Sequence, residues 1–232
     1  MTSKARLFAR LKPYLRWLPY LGILIPPFLG GNDTAVAKWV IIVAAVGVQV
    51  WKDLVGDAYA EDKLAQRLRS HLSTLIDEIE AILGPEFWGA LRANVMRPCE
   101  PASLRIFCYA GDHKAKELMM KWEIGQGVCG VAFARGQMVY GDLREQSAAQ
   151  RFEDLMDDTD QVPYGLTEEQ WVITRNLETI LAIPICEGND QRRKWGVLCL
   201  DSTLSVPAEL ADAEIAKTLD TYRKMFGTSI IF

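Results

Sequence analysis

Two uncharged runs near the N-terminus, residues 17–31 and 39–51, dominate the start of the hydrophobic pattern. The turn-forming sequence GGNDT separates them, and Trp17, Trp39 and Trp51 lie at their ends, as aromatic side chains do at a membrane surface. Each run is shorter than the ~20 residues that cross a bilayer comfortably as a helix. The pattern nevertheless predicts that residues 17–51 form a transmembrane helical hairpin.

A basic arm precedes this hairpin, because residues 1–16 contain five lysine and arginine residues and no acidic residue. The positive-inside rule places such an arm in the cytoplasm, and two spans would return the chain to that side. The expected location is therefore the cell inner membrane, in contact with membrane lipid, with the N-terminus and the main domain cytoplasmic. Three alternatives stay open: a hairpin in a protein core, an interfacial or re-entrant pair, and a signal peptide cleaved near residues 35–37.

Residues 52–84 predict one long helix that connects the hairpin to the rest of the chain, ended by Gly84-Pro85. Its apolar residues alternate spacings of four and three, as in a coiled-coil seam: Leu68, Leu72, Leu75, Ile79 and Ile82. This seam fits two packings equally well. It can join two copies of the chain in a homodimer or higher homo-oligomer, or it can pack against its own domain.

After residue 84 the pattern changes to short apolar runs separated by turn residues, which predicts a separate domain over residues 85–232. Its expected strands are residues 92–96, 104–109, 119–123, 137–141, 179–186 and 195–201. The first two strands are joined by a turn that contains Pro98 and Pro101, and the last two form a hairpin across a polar turn. Asp201, at the end of the last strand, is interpreted as a turn residue.

Three helical segments complete this order. A short helix is expected at residues 128–132, a capping box at residues 167–170 starts a second, and residues 207–225 form an amphipathic third. Residues 144–166 are polar and irregular, which indicates a solvated lid or loop. The order predicts an α+β fold in which an antiparallel sheet is flanked by helices, with the helices on one face.

Composition and charge exclude several classes of function. The net charge of −4 gives no general basis for binding a nucleic acid polymer. Five cysteines without CxxC spacing, and two histidines away from any cysteine pair, predict neither a zinc site nor another metal site. No catalytic triad, paired carboxylates or phosphate loop stands out, which favours a protein that is not an enzyme and needs no cofactor. Gly125, Gly127 and Gly130 match a dinucleotide fingerprint, but the helix that follows is too short for that fold.

Residues 68–226 resemble a GAF domain. The resemblance rests on the glycine turn and short helix at residues 125–130, on Asp142 after the next strand, and on the closing hairpin, LAIPI at residues 181–185 and WGVLCLDS at residues 195–202. It implies a signalling module with a pocket between the sheet and its lid helices, for a cyclic nucleotide or another small molecule. No cysteine has the context of a bilin attachment site, and neither histidine is placed to support haem.

Candidate ligand-binding residues follow from this implied pocket, because arginine can pair with a phosphate and an aromatic ring can stack on a base. They are Asp142, Arg151, Phe152, Trp171, Arg175 and Thr179. Cys129 is a candidate catalytic residue, since it lies near the start of a short helix, a setting that activates thiols. Free methionine-(R)-sulfoxide reductases are GAF enzymes with a similar GVCG cysteine and two cysteines upstream, as Cys99 and Cys108 are here.

The sequence thus predicts a membrane-anchored sensor or effector that binds a small molecule or nucleotide through a GAF-like domain. Two spans plus a ligand module also resemble the membrane-disrupting effectors of bacterial antiviral defence systems. A structural or interaction protein without a small ligand is one alternative. A reductase that uses Cys129 is the other.

Overall fold

The computed structural model describes residues 33–100, 102–156, 162–188, 190–208 and 214–230. The helices are α1 (Asp33–Leu83), α2 (Ala115–Met119), α3 (Gly127–Arg135), α4 (Arg144–Ala148), α5 (Glu168–Thr174) and α6 (Ala216–Ser229). The strands are β1 (Leu91–Glu100), β2 (Ser103–Ala110), β3 (Trp122–Glu123), β4 (Val139–Asp142), β5 (Thr179–Glu187) and β6 (Asp190–Ser202). Short 3-10 turns cover Pro85–Phe87, Phe152–Leu155 and Pro163–Gly165.

The chain divides into two compact units, residues 1–63 and residues 64–232. In the first unit, the second uncharged run lies within α1 and is helical, as its pattern predicts. The basic arm, the first uncharged run and most of the predicted turn fall in residues 1–32, outside the described residues. Within the described part of the chain, no helix is both long enough and apolar enough to cross a membrane.

In the second unit, the seam of α1 packs against its own domain. Leu68, Leu72, Leu75 and Ile79 are fully buried, in one cluster with apolar residues of the sheet and of α6. The Tyr222 hydroxyl donates a hydrogen bond of 3.0 Å to Glu78 and ties α6 to the same helix. The structure therefore supports the second of the two packings that the seam allows.

The sheet has six strands in the order β3-β2-β1-β6-β5-β4, and every neighbouring pair is antiparallel. The predicted closing hairpin is confirmed as β5 and β6, and β6 also pairs with β1. Strand β1 is longer than predicted, because it runs through Pro98 to Glu100 instead of turning at residue 97. The register with β2 shifts between Pro98 and Glu100, which accommodates a residue that has no amide hydrogen to donate.

Helices cover both faces of the sheet, so the prediction of helices on one face is wrong. Residues 195–200 of β6 are all buried, and from Val197 to Leu200 the side chains alternate between two core clusters. Leu198 and Leu200 belong to the cluster of α1 and α6, whereas Val197 and Cys199 belong to the cluster of α3. A strand that is apolar on both sides needs a layer of helices on each.

The three glycines that match the dinucleotide fingerprint, at residues 125, 127 and 130, form a turn and a close backbone contact. Gly125 and Gly127 have φ angles of 96° and 64°, which few other residues adopt. A Cβ atom on Gly130 would lie 2.6 Å from the carbonyl oxygen of Glu123, so only glycine fits there. The spacing thus brings the start of α3 against β3, in agreement with the rejection of a dinucleotide site.

Replacing Leu72 by alanine tests the packing of the α1 seam. Because Leu72 is fully buried within one chain, we expect the substitution to lower the free energy of unfolding by about 2–5 kcal/mol. Ser73→Ala, on the exposed side of the same helix, should change it by less than about 0.5 kcal/mol. Urea unfolding measures both variants. A wild-type midpoint that rises with protein concentration would instead indicate that the seam joins two chains.

Candidate functional site

A small cavity lies between the sheet and the layer formed by α2 to α5. Its floor comes from residues of β1, β2, β5 and β6, and its cover from α2 to α5 and the segments between them. The cavity has a volume of about 40 Å³, which holds roughly three water molecules at ~10–15 Å³ each. Apolar side chains form most of the lining, and polar groups are concentrated around Asn94, Glu117, Gln146, Thr174 and Asp201.

Arg92 organises the polar side of the cavity through two buried carboxylates. Its guanidinium donates two hydrogen bonds to Glu117, of 2.9 and 2.7 Å, in a bidentate pair. Its Nε atom lies 3.2 Å from Asp201 Oδ2, to which Asn94 Nδ2 also donates a hydrogen bond of 3.3 Å. His113 Nδ1 lies 3.5 Å from Glu117 Oε1. This network joins β1, β6 and α2.

Three oxygen atoms around the cavity have no hydrogen-bond partner among the described residues. They are Asn94 Oδ1, Asp201 Oδ1 and Gln146 Oε1, and each side chain is about 3% exposed. Buried polar atoms without a partner are rare, because the lost hydrogen bonds to water are not replaced. Such atoms at the wall of a cavity indicate a place where a further molecule can be bound.

The two carboxylates have opposite pKa shifts. Burial disfavours the ionised form of Glu117, but the nearby His113 and the charge of Arg92 outweigh it and lower the pKa of this group. For Asp201, burial is the largest effect and raises the pKa above its ordinary value of 3.8, while Arg92 and His113 offset only part of the rise. Arg92 therefore stabilises the ionised form of Glu117 more than it stabilises that of Asp201.

The fold of this chain is similar to that of a solved GAF domain. The GAF domain region of a predicted membrane protein from Geobacter sulfurreducens PCA aligns with a TM-score of 0.52 at 18% identity, over 76% of this chain and 98% of that chain. This chain has a GAF-like fold.

Two further solved structures align less well. The GAF domain of a phosphoenolpyruvate-protein phosphotransferase from Acinetobacter gives a TM-score of 0.44 at 11% identity, over 75% of this chain and 92% of that one. A free methionine-R-sulfoxide reductase from Neisseria meningitidis gives 0.42 at 18% identity, over 74% and 87%. No protein-family model matches the sequence, and no curated protein matches it. At these identities the similarity shows the GAF-like fold alone.

Three side chains of the GAF-like domain could together hold a metal ion. His113, Glu117 and Asp201 each offer one ligand atom, and these atoms lie within 4.8 Å of one another. The guanidinium of Arg92 already pairs with Glu117 and lies 3.2 Å from Asp201. A metal ion on these three residues would have to share the carboxylate oxygens with Arg92, so the geometry disfavours a metal centre.

The cysteines lie on different faces of the sheet. Cys129, the third residue of α3, lines the cavity. Burial raises the pKa of the Cys199 thiol well above its ordinary value. Cys108 belongs to the cluster on the opposite face, and burial raises the pKa of its thiol to about 12. The sheet thus separates Cys108 from Cys129, which counts against a shared redox role for the two.

Three of the predicted ligand residues form one group beside α5. The ring centroid of Phe152 lies 6.0 Å from that of Trp171, and the guanidinium of Arg175 lies 5.8 Å from the Trp171 ring. Trp171 is buried, and its indole N–H donates to the backbone carbonyl oxygen of Gln146. The predicted cap of α5 at Thr167 is confirmed.

The other three predicted ligand residues are dispersed. Asp142 and Arg151 each form an ion pair with a residue close in sequence, near the surface. Thr179 is buried, and its hydroxyl accepts a hydrogen bond from the backbone amide of Val206. None of the six predicted residues is among those that line the cavity, so their contact with a ligand stays a prediction.

One important residue of the site differs from its sequence-based prediction. Asp201 is not a turn residue, because β6 continues to Ser202 and Asp201 pairs in register with Arg92 of β1. Arg92 and Asn94 alternate with the buried Ala93 and Val95, so two polar residues share one face of a central strand. That alternation is the signal that could have identified them. Glu117 and Gln146, on short helices, carry no comparable signal.

Replacing Asp201 by asparagine tests the cost of this buried carboxylate. Because the folded state raises the pKa of Asp201, it binds the proton more tightly than the unfolded chain, and stability falls as the pH rises through that range. Asp201→Asn removes this loss. We expect its free energy of unfolding, relative to wild type, to increase from pH 4 to pH 8 in urea titrations.

Asp220→Asn is the matched control, because ion pairs with Lys224 and Arg223 lower the pKa of that surface carboxylate. Its free energy of unfolding, relative to wild type, should decrease from pH 4 to pH 8. The charged groups that face Asp201 are Arg92 of β1, together with His113 and Glu117. All three remain in both variants. If the difference in free energy of unfolding between Asp201→Asn and wild type does not change with pH, burial does not destabilise the ionised form of Asp201.

Proposed function

We propose that the GAF-like domain is a sensor module that binds a small molecule in the cavity beside Arg92, and that residues 17–51 attach it to a membrane. The observation that carries the first part is the set of three buried oxygen atoms that lack a partner at the cavity wall. A chain that keeps such atoms in its core loses stability unless another molecule supplies the missing hydrogen bonds. A ligand-binding site accounts for that loss.

The cavity favours a compact ligand over a nucleotide. Sites for drug-sized ligands measure about 300–1,000 Å³, whereas this cavity measures about 40 Å³. The buried carboxylates of Glu117 and Asp201 would also repel a phosphate. The two arginines predicted to bind a phosphate, Arg151 and Arg175, do not line the cavity. A cyclic nucleotide in this cavity is therefore a weaker candidate than a small metabolite.

Membrane attachment rests on the first part of the sequence. The basic residues 1–16 suit the surface of an anionic membrane, and the uncharged runs that follow suit its interior. The Geobacter protein with the same fold is itself described as a predicted membrane protein. The proposed location of both the N-terminus and the GAF-like domain is the cytoplasmic face of the inner membrane.

Self-association is the remaining part of the proposal. Because the seam of α1 is buried within one chain, a homodimer or higher homo-oligomer would form through other surfaces. Binding in the cavity would change the membrane segments or a partner only if the ligand binds one conformation more tightly than another.

A thermal-shift screen of small metabolites with the full chain in mild detergent tests the sensor module. A ligand present at 100 times its dissociation constant should stabilise the folded state by about 2.7 kcal/mol. Leu177→Phe, which fills the cavity, should abolish this effect, whereas the same change at the exposed Leu204 should not. If no compound stabilises the protein, the domain is an interaction module and the proposal fails.

Substituting Ala45, in the middle of the second uncharged run, tests membrane attachment. A lysine in the centre of a membrane helix costs about 2.5–3.5 kcal/mol. We therefore expect Ala45→Lys to move the full chain from the alkali-resistant membrane fraction to the soluble fraction. Ala60→Lys, at an exposed position of the same helix, should leave the distribution unchanged. A wild-type chain that alkali releases completely would exclude insertion of residues 17–51.

A further inference from the structure

The three oxygen atoms at the cavity wall are all hydrogen-bond acceptors, and their neighbours fix them in that role. Thr174 donates its hydroxyl hydrogen to the Gln170 carbonyl oxygen, so it can only accept from Gln146 Nε2, and Gln146 Oε1 is left over. Asn94 must turn its amide nitrogen towards the Asp201 carboxylate, so Asn94 Oδ1 has no hydrogen-bond donor among the described residues. Asp201 Oδ1 is the third acceptor. A molecule that satisfies them has to supply N–H or O–H donors.

The charges around the cavity do not balance. Arg92 contributes one positive charge, and Glu117 and Asp201 contribute two negative charges when both are ionised, all at buried positions. His113, 3.5 Å from Glu117, adds a positive charge only if it is protonated. Lys114 does not correct this, because its ammonium group donates to the Ile173 carbonyl oxygen elsewhere. Water in the cavity could fill the acceptors but could not supply a positive charge. Burying an uncompensated charge is costly, so a cation or a proton has to complete the network.

We propose that the cavity binds a protonated amine, as the ammonium ion or a short primary alkylammonium group, with Asp201 as its counter-ion and with Asn94 and Gln146 as hydrogen-bond acceptors. An ammonium group carries the missing charge and several N–H donors on one small atom. It also fits a volume of about 40 Å³, which admits only a few non-hydrogen atoms. This inference rests on the proposed sensor function and names the chemistry of its ligand.

The apolar part of the lining suits the carbon end of such a molecule. Met96, Ile106, Leu143 and Leu177 line the cavity together with the three acceptors. An alkyl group attached to the ammonium would contact these side chains and lose its exposure to water. The ligand is then either the free ammonium ion or the amino end of a larger compound, and both share the same headgroup.

The test is a thermal-shift and calorimetric titration of the full chain, with the cations added as chloride salts and the ionic strength held constant. Ammonium and methylammonium are the probes. Potassium is the control for a cation of similar size without N–H donors, methanol for a neutral donor, and acetate for an anion. We expect saturable stabilisation by ammonium or methylammonium only. Tighter binding of methylammonium would indicate the amino end of a larger compound, and tighter binding of ammonium would indicate the free ion.

Two variants separate binding from folding. Asp201→Asn keeps the shape of the side chain but removes its charge, so the apparent affinity for the amine should fall at least tenfold. The same variant should be at least as stable as wild type at pH 8 in the absence of ligand, which a purely structural role of Asp201 would not produce. Asp220→Asn, on α6, should bind the amine as wild type does.

Several results would overturn the inference. Equal stabilisation by potassium would indicate a cation site without a role for N–H donors, and stabilisation by acetate or methanol alone would indicate another ligand class. If no amine binds but the wider metabolite screen finds a ligand, the amine is wrong and the sensor function stands. If neither the probes nor the screen gives a ligand, the sensor function fails as well.

Discussion

The architecture depends on one constraint, which is that the central strands are apolar on both faces. Residues 195–200 of β6 and most of β5 have no side open to water. The long α1 and α6 cover one face with buried apolar side chains, which are leucine and isoleucine in α1 and include Tyr222 and Phe226 in α6. The other face is covered by short elements, α2 to α5, which cannot fill the space as completely. The cavity is the consequence of this second, fragmented layer.

Arg92 holds the fragmented layer in place at the polar end of the cavity. Its two hydrogen bonds to Glu117 fix α2, a helix of five residues that has little stability of its own. A bidentate pair that is out of water is strong, but its desolvation is costly, so it gives geometry more than net stability. The network then leaves Asp201 with a raised pKa and an oxygen atom without a partner. Proteins commonly give up stability at sites that bind other molecules.

The sequence was sufficient for the parts of the fold whose partners are close along the chain. The β5–β6 hairpin, the cap at Thr167 and the end of α1 at Gly84 all follow from local patterns. The polar site could not be derived in this way, because Asn94 and Asp201 are 107 residues apart and meet only through strand pairing. The predicted ligand residues follow from side-chain chemistry alone, and three of the six, Asp142, Arg151 and Arg175, are exposed to solvent. Helices on one face were predicted because the alternation within β6 was not considered.

The sheet that separates the cavity from α1 is a single layer, and neighbouring residues of β6 face opposite ways. Asp201 faces the cavity, and Leu200, bonded to it, packs in the cluster that contains Leu68, Leu72 and Leu75 of α1. A displacement of Asp201 would therefore have to pass through only one peptide unit to reach residues that pack against α1. The wall of the cavity is also the surface on which the long helix rests.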